Sequence, residues 1–240
     1  MTVCGRFAPT PSGRIHLGNI LCAMLSWLSV RSKNGRYLLR IEDLDAMRCP
    51  RSLADLIEDD LKWFGIDWDD GGSAGGDAWY QSCRTAIYDR YFDVLKDKGL
   101  LYPCFCSRAE LHTAQAPHRS DGTYIYAGTC RNLTPEQIAE KSKRRPPAWR
   151  VRVPEREMSF TDGCQGVYTE NLAHDCGDFI IRRSDGVYGY QLAVVVDDGL
   201  MGVTEVVRGS DLLNSTPRQM YLYEQLGFAI PQFYHMPLLT

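Results

Sequence analysis

The sequence lacks any apolar run of the roughly 18 residues that a membrane-spanning helix needs. It also lacks the signature of a secretory leader, because Arg6 and the polar stretch 9–14 leave no apolar segment behind Met1. Positive charge is not in excess, since 27 Lys and Arg stand against 30 Asp and Glu. These absences argue against a membrane or secreted protein and against one that coats nucleic acid indiscriminately, and they predict a cytoplasmic protein.

Internal repeats and low-complexity tracts are absent as well. The chain has 240 residues, of which 44% are hydrophobic and 24% are charged, as is typical of a globular protein with one large domain or one domain carrying an insertion. Nine cysteines in a cytoplasmic chain indicate thiols or metal ligands and not disulfides. Three of them, Cys104, Cys106 and Cys130, lie in one segment.

Hydrophobic patterning near the start of the chain predicts a strand at 3–8, a helix at about 17–30 and a strand at 37–41. The breaker cluster Pro9–Gly13 separates the first strand from the helix. Strand, helix and strand with such short junctions form a βαβ unit, which implies a parallel sheet with a right-handed crossover.

Further along, residues 101–177 contain the clustered cysteines and a basic tract at 141–152. They are interpreted as an insertion between two halves of one domain, 1–100 and 178–240. The remaining expected elements are a helix capped by Ser52 that ends near 64, a helix at 85–98, strands at 178–182, 204–208 and 233–235, a turn at 185–186 and a helix at 216–226. The apolar run 192–196 is left unassigned. The expected fold class is therefore α/β, a parallel sheet split by a small inserted domain.

The segment from Arg6 to Asn19 reads RFAPTPSGRIHLGN, in which a strand ends and a helix opens at His16. A helix N-terminus at the end of a parallel strand is a natural phosphate site, because its N–H groups are free and its dipole end is positive. Gly18 allows close approach of a nucleotide, and His16 can donate a hydrogen bond to a phosphate. A His-x-Gly triplet alone is more typical of a capping histidine, but the whole segment favours nucleotide binding.

That segment resembles the HIGH signature of class I aminoacyl-tRNA synthetases, in the form used by the glutamyl branch. Four further segments resemble later motifs of that branch, in the same order: 39–45, 190–198, 202–209 and 234–239. The resemblance implies a Rossmann-type parallel sheet, ATP with Mg²⁺, and L-glutamate as substrates. It implies ATP-binding and catalytic roles for His16, Gly18 and Asn19, and glutamate binding by Arg6, Phe7, Ala8, Pro9, Thr10, Glu42, Tyr190 and Arg208.

The chemistry of those side chains suits glutamate. Arg6 and Arg208 offer fork-shaped guanidinium groups for carboxylates, and Glu42 can pair with the ammonium group. Tyr190 adds a hydroxyl. Each residue alone is more typical of an ordinary ion pair, and their joint occurrence at motif positions is what favours binding.

The clustered cysteines suggest a zinc site, since thiolates at Cys-x-Cys spacing suit tetrahedral zinc. Three cysteines leave the fourth ligand open among His112, His118, Tyr124 and Tyr126. The group of glutamyl-queuosine-tRNA(Asp) synthetases carries Cys-x-Cys followed by Tyr-x-x-x-Cys. Resemblance to that group implies one zinc ion held by Cys104, Cys106, Tyr126 and Cys130, against the alternative of three buried thiols without a metal.

The same resemblance implies a ligase that activates glutamate and transfers it to queuosine in tRNA(Asp), with the insertion contacting the acceptor. The chain is expected to be a monomer. Two alternatives are the catalytic part of an ordinary glutamyl-tRNA synthetase and a non-catalytic zinc and RNA-binding module. The basic tract 141–152 is compatible with RNA contact and equally with a solvated face. The lysine-bearing KMSKS-like loop of the family is absent, so the chain is expected to be truncated before it.

Overall fold

The computed structural model describes residues 2–107, 110 and 125–239 of the chain. At its centre lies a five-stranded sheet in which all neighbouring strands are parallel. Its strands are β1 (Cys4–Phe7), β2 (Arg36–Leu39), β3 (Asp70–Gly71), β9 (Glu205–Gly209) and β10 (Gln232–Met236), in the order β10-β9-β1-β2-β3. The predicted parallel α/β sheet is confirmed, and residues 101–177 lie between β3 and β9 in the chain.

Six α-helices are described: α1 (Leu17–Ser32), α2 (Arg51–Trp63), α3 (Thr85–Asp97), α4 (Pro135–Ser142), α5 (Tyr190–Met201) and α6 (Thr216–Leu226). The predicted capping role of Ser52 is wrong, because α2 begins after Pro50 and has no side-chain cap. The unassigned run 192–196 lies inside α5, with every side chain buried. Within the described residues, no helix is long and apolar enough to cross a membrane.

In its described residues, the inserted segment contributes to two smaller antiparallel sheets. One contains β4 (Leu101–Cys104), β5 (Ala148–Val151) and β8 (Ile180–Arg182), and the other is the hairpin of β6 (Glu157–Asp162) and β7 (Gly166–Asn171). Although β8 lies beyond the expected boundary at 177, its hydrogen bonds join it to β5 of the insertion. The expected turn at 185–186 is present, and Arg182 pairs with Tyr188 across it in an isolated antiparallel bridge.

Strand β1 and helix α1 approach each other closely at Gly5. A Cβ atom at this glycine would lie 2.4 Å from Cγ2 of Val30 on α1. We therefore expect Gly5→Ala to destabilise the fold by about 1–3 kcal/mol through overpacking. Because Val30→Ala removes the clashing methyl group, the double variant should lose less stability than the sum of the two single variants, as measured by denaturant unfolding. Strict additivity would contradict this account of the contact.

Candidate functional site

A cavity of about 580 Å³ opens at the carboxyl ends of the central strands. Ligands of open parallel sheets bind at this edge, because the loops and helix N-termini converge there. The residues expected to bind glutamate or ATP all line this one cavity: Arg6, Phe7, Ala8, Pro9, Thr10, His16, Gly18, Asn19, Glu42, Tyr190 and Arg208. The structure thus brings together side chains that are as much as 202 positions apart in the sequence, from Arg6 to Arg208.

The amino-terminal wall of the cavity is held by backbone hydrogen bonds between the segments that follow β1 and β2. The amide of Glu42 donates to the carbonyl of Pro9 over 2.9 Å. His16 occupies the N-cap position of α1, but its side chain makes no capping hydrogen bond. Its ring lies beside Gly18, where a Cβ atom would be 3.4 Å away. The imidazole therefore does not cap α1, contrary to the alternative interpretation of His16 as a capping histidine.

Arg208 is buried in the wall of the cavity and makes no ion pair with any carboxylate of the described residues. Its Nε donates to Nε2 of His235 over 2.9 Å, and its Nη2 donates to the hydroxyl of Thr216 over 2.8 Å. Its Nη1 is buried without a partner among those residues. Burial lowers the pKa of Arg208 from its ordinary value, and Arg6 acts in the same direction. An unpartnered guanidinium nitrogen at a cavity wall is suited to an anionic ligand.

Arg6 belongs to a buried network of charges beneath the cavity. Its Nε lies 3.3 Å from both carboxylate oxygens of Asp198, which also accepts a 2.6 Å hydrogen bond from Nη1 of Arg40. The terminal nitrogens of Arg6 make no hydrogen bond within the described part of the chain. Burial opposes the charge of Asp198, but Arg6 and Arg40 outweigh it and hold its pKa below the ordinary value.

Arg40 also fixes Glu42, the expected partner of an ammonium group. Its Nη2 lies 3.1 Å from Oε1 of Glu42, whose side chain is 8% exposed. Burial raises the pKa of Glu42, although Arg40 and Arg6 oppose that shift. The residues that sequence reasoning missed are Arg40, Asp197 and Asp198. Their signal was a charge inside an apolar strand and an acidic pair directly after the apolar run 192–196.

The three clustered cysteines converge in a second place, where their sulfur atoms all lie within 4.8 Å of one another. Sγ of Cys106 is 3.6 Å from Sγ of Cys130. The hydroxyl of Tyr126 is 3.4 Å from Sγ of Cys104 and 3.6 Å from Sγ of Cys106. Around tetrahedral zinc, ligand sulfur atoms are about 3.8 Å apart, and a sulfur and an oxygen are about 3.5 Å apart. The three separations of 3.6, 3.4 and 3.6 Å are close to these values, so the cluster could hold a tetrahedral metal ion such as zinc.

The other candidates for the fourth ligand, His112, His118 and Tyr124, lie outside the described residues. Arg150 contacts two members of the cluster. Its Nε donates to Sγ of Cys104 over 3.3 Å, and its guanidinium lies 3.7 Å from the ring centroid of Tyr126. Burial opposes ionisation of Cys104, but hydrogen bonds with Tyr126 and Arg150 hold the pKa of this thiol below its ordinary value.

The basic tract that suggested RNA contact divides into two parts. Arg150 is buried, and Arg152 lies over the ring of Tyr102 at 4.7 Å. Lys143 and Arg144 are exposed and pair with Glu140 on α4, at 3.0 and 3.5 Å. Arg150 is thus structural, whereas the residues at the amino-terminal end of the tract are exposed and Arg152 is half-buried.

Comparison with known proteins places this geometry among tRNA synthetases. Residues 2–240 match the family described as tRNA synthetases class I (E and Q), catalytic domain. The chain is 51% identical to a glutamyl-Q tRNA(Asp) synthetase from Nitratidesulfovibrio vulgaris, over 98% of this chain and 74% of that protein. It is 50% identical to a glutamyl-Q tRNA(Asp) synthetase from Symbiobacterium thermophilum, over 99% of this chain and 75% of that protein.

Solved structures of glutamate–tRNA ligases are similar over the whole chain. A glutamate tRNA ligase from Elizabethkingia meningosepticum, crystallised with its amino acid, superposes with a TM-score of 0.87 at 29% identity. The glutamate-tRNA synthetase from Elizabethkingia anophelis gives a TM-score of 0.88 at 30% identity. The chain spans 50% and 51% of the length of these two proteins.

Proposed function

Because the chain belongs to the class I tRNA synthetases of the E and Q type, we propose that it activates L-glutamate with ATP and transfers the glutamyl group to the queuosine base at the wobble position of tRNA(Asp). The observation that carries the glutamate part is the buried Arg208, whose Nη1 lacks a partner among the described residues at the wall of the cavity. Identity of about half the residues to glutamyl-Q tRNA(Asp) synthetases supports the choice of acceptor.

In this proposal the side-chain carboxylate of glutamate lies between Arg6 and Arg208. Both guanidinium groups are buried and line the cavity; within the described part of the chain, the terminal nitrogens of Arg6 and Nη1 of Arg208 have no hydrogen-bond partner. The ammonium group pairs with Glu42, which Arg40 holds at the cavity wall. Tyr190, the first residue of α5, adds its hydroxyl, and residues 7–10 form the wall beside it.

ATP is proposed to lie at the N-terminus of α1, where His16, Gly18 and Asn19 line the cavity. The first N–H groups of a helix have no partner within it, so they can bind phosphate oxygens together with the imidazole. An oxygen of the glutamate α-carboxylate attacks the α-phosphorus in line, and the bond to the bridging oxygen of pyrophosphate breaks. Mg²⁺ would accompany ATP and neutralise the phosphate charge. The chain contributes positioning and charge neutralisation.

The cysteine cluster is proposed to hold one structural Zn²⁺ through Cys104, Cys106, Cys130 and Tyr126. Four protein donors close the tetrahedron and leave no open position for a substrate. The ion would stabilise the insertion, whose local apolar core consists of Tyr102, Phe105 and the cysteines themselves.

The test of the function is glutamyl transfer by the full-length protein with labelled glutamate and ATP. We expect label on tRNA(Asp) that contains queuosine, and none on an unmodified tRNA(Asp) transcript. Transfer should persist on queuosine-containing tRNA(Asp) that lacks its 3′-terminal adenosine. Label at the 3′ end of tRNA(Glu) would instead assign the activity of the related glutamyl-tRNA synthetases. Absence of glutamate-dependent pyrophosphate exchange would instead support the alternative of a non-catalytic module.

A further inference from the structure

His235 is fully buried on β10, between a carboxylate of the insertion and the guanidinium of Arg208. Its Nδ1 lies 2.6 Å from Oδ2 of Asp162, and its Nε2 lies 2.9 Å from Nε of Arg208. The hydroxyl of Thr216 is 3.2 Å from the same Nε2. These four side chains form a row of hydrogen bonds, in which only Arg208 has a role in the proposed reaction.

The hydrogen-bonding roles along this row are fixed by chemistry. Nε of arginine can only donate, so Nε2 of His235 accepts from it. A carboxylate can only accept, so Nδ1 carries the proton and donates it to Asp162. Burial and Arg208 lower the pKa of His235, and this agrees with a neutral ring. Asp211 and Asp162 are the acidic groups that oppose this shift.

We propose that His235 is a positioning residue for the glutamate-binding Arg208, and that Asp162 fixes the tautomer that His235 needs for this task. With Nε and Nη2 engaged by His235 and Thr216, the planar guanidinium has its orientation set, and Nη1 is the donor left for a ligand. This inference rests on the proposed function, because it assigns a supporting residue to the same binding site.

Asp162 is itself held rigidly at the turn between β6 and β7. Its Oδ1 accepts the backbone N–H groups of Cys164 and Gln165 over 2.9 Å each, and that of His235 over 3.0 Å. Gly163 lies against the ring of Tyr234, where a Cβ atom would be only 2.1 Å from Cδ1. The β6–β7 hairpin of the insertion therefore helps to hold His235, and through it Arg208, in position.

The test compares His235→Asn with His235→Gln in the full-length protein. Asn keeps a donor near the position of Nδ1, toward Asp162, but offers no acceptor to Arg208. Gln reaches the position of Nε2 and can accept from Nε of Arg208. We expect His235→Asn to weaken glutamate binding by about 10- to 100-fold and His235→Gln by no more than about threefold, since a hydrogen bond to a charged group is at stake. Calorimetry gives both affinities, and ATP affinity, expected to be unchanged in both variants, reports on the intact fold.

Equal losses in the two variants, or no loss in either, would overturn the positioning role. A parallel loss of ATP affinity would show that His235 acts through packing alone. A second measurement does not depend on glutamate. The ¹⁵N shifts of His235 should show a protonated Nδ1 and an unprotonated Nε2, and the reverse tautomer or a cationic ring would reject the inference even if glutamate binds. If the unaltered protein binds no glutamate while His235 shows the expected tautomer, the proposed function fails and the row of hydrogen bonds stands.

Discussion

The Arg208→Met variant is expected to lose glutamate affinity by on the order of 10²–10³-fold while it stays as stably folded as the parent protein. The affinity falls because the substrate carboxylate loses a buried, charge-assisted partner, whose Nη1 has no other partner in the described part of the chain. Methionine fills similar space without a charge. Calorimetric titration with glutamate, and with ATP as the reference ligand, measures the effect.

Stability should change by roughly 1 kcal/mol or less, because Arg208 carries no ion pair with any described carboxylate that its removal would break. The hydroxyl of Thr216 already lies 3.2 Å from Nε2 of His235 and can satisfy it after the substitution. A buried charge without a counterion costs stability in the free protein and is useful only when its ligand arrives. Thermal unfolding without glutamate tests this point.

Arg40→Met is the matched control, since the same substitution removes another fully buried guanidinium. Arg40 pairs with Asp198 at 2.6 Å, Glu42 at 3.1 Å and Asp197 at 3.7 Å. Its loss leaves buried carboxylates uncompensated, and we expect destabilisation by about 3–5 kcal/mol. If Arg208→Met were as destabilising as Arg40→Met, Arg208 would be a structural residue and its assignment to glutamate would be wrong.

These two arginines also show which part of the site can be predicted from the sequence. Arg208 was identified because it lies in a segment that resembles a known motif. Arg40 lies in such a segment too, but nothing in the local pattern distinguishes a ligand-binding arginine from one that holds acidic neighbours. That distinction depends on which carboxylates the fold brings within reach, and Asp198 lies 158 positions away from Arg40.

Helix α5 could not be predicted from the sequence, for a different reason. Its run 192–196 has no polar residue, so neither a period of two nor one of 3.6 can be read from it. The run is fully buried, because α5 packs against helices α3 and α6 and shares an apolar cluster with Leu38 and Val206 of the parallel sheet. Charge along the chain likewise gave no sign that Arg150 turns inward to Cys104 and Tyr126.

We expect Cys130→Ser to abolish zinc binding and to unfold the insertion locally while the parallel sheet keeps its structure. Zinc binding contributes on the order of 10 kcal/mol to the folding of small zinc modules, and here it would join ligands from two segments, 104–106 and 126–130. The apolar core beneath the ligands is small, so it offers little to replace the ion. Metal analysis should give one zinc per chain in the parent protein and none in the variant.

Cys164→Ser is the matched control, because Cys164 is an exposed thiol at the turn of the β6–β7 hairpin. It should keep one zinc per chain and the parent stability. In Cys130→Ser, hydrogen exchange should accelerate in the segment around Phe105 and Tyr126 and stay slow in β1 and β9, since the buried side chains of these two strands belong to apolar clusters that do not include Phe105 or the cysteine ligands. Zinc-free parent protein with slow exchange in that segment would mean that the three thiols and Tyr126 are packed without a metal. Collapse of the whole sheet in Cys130→Ser would mean that the insertion and the catalytic halves fold as one cooperative unit.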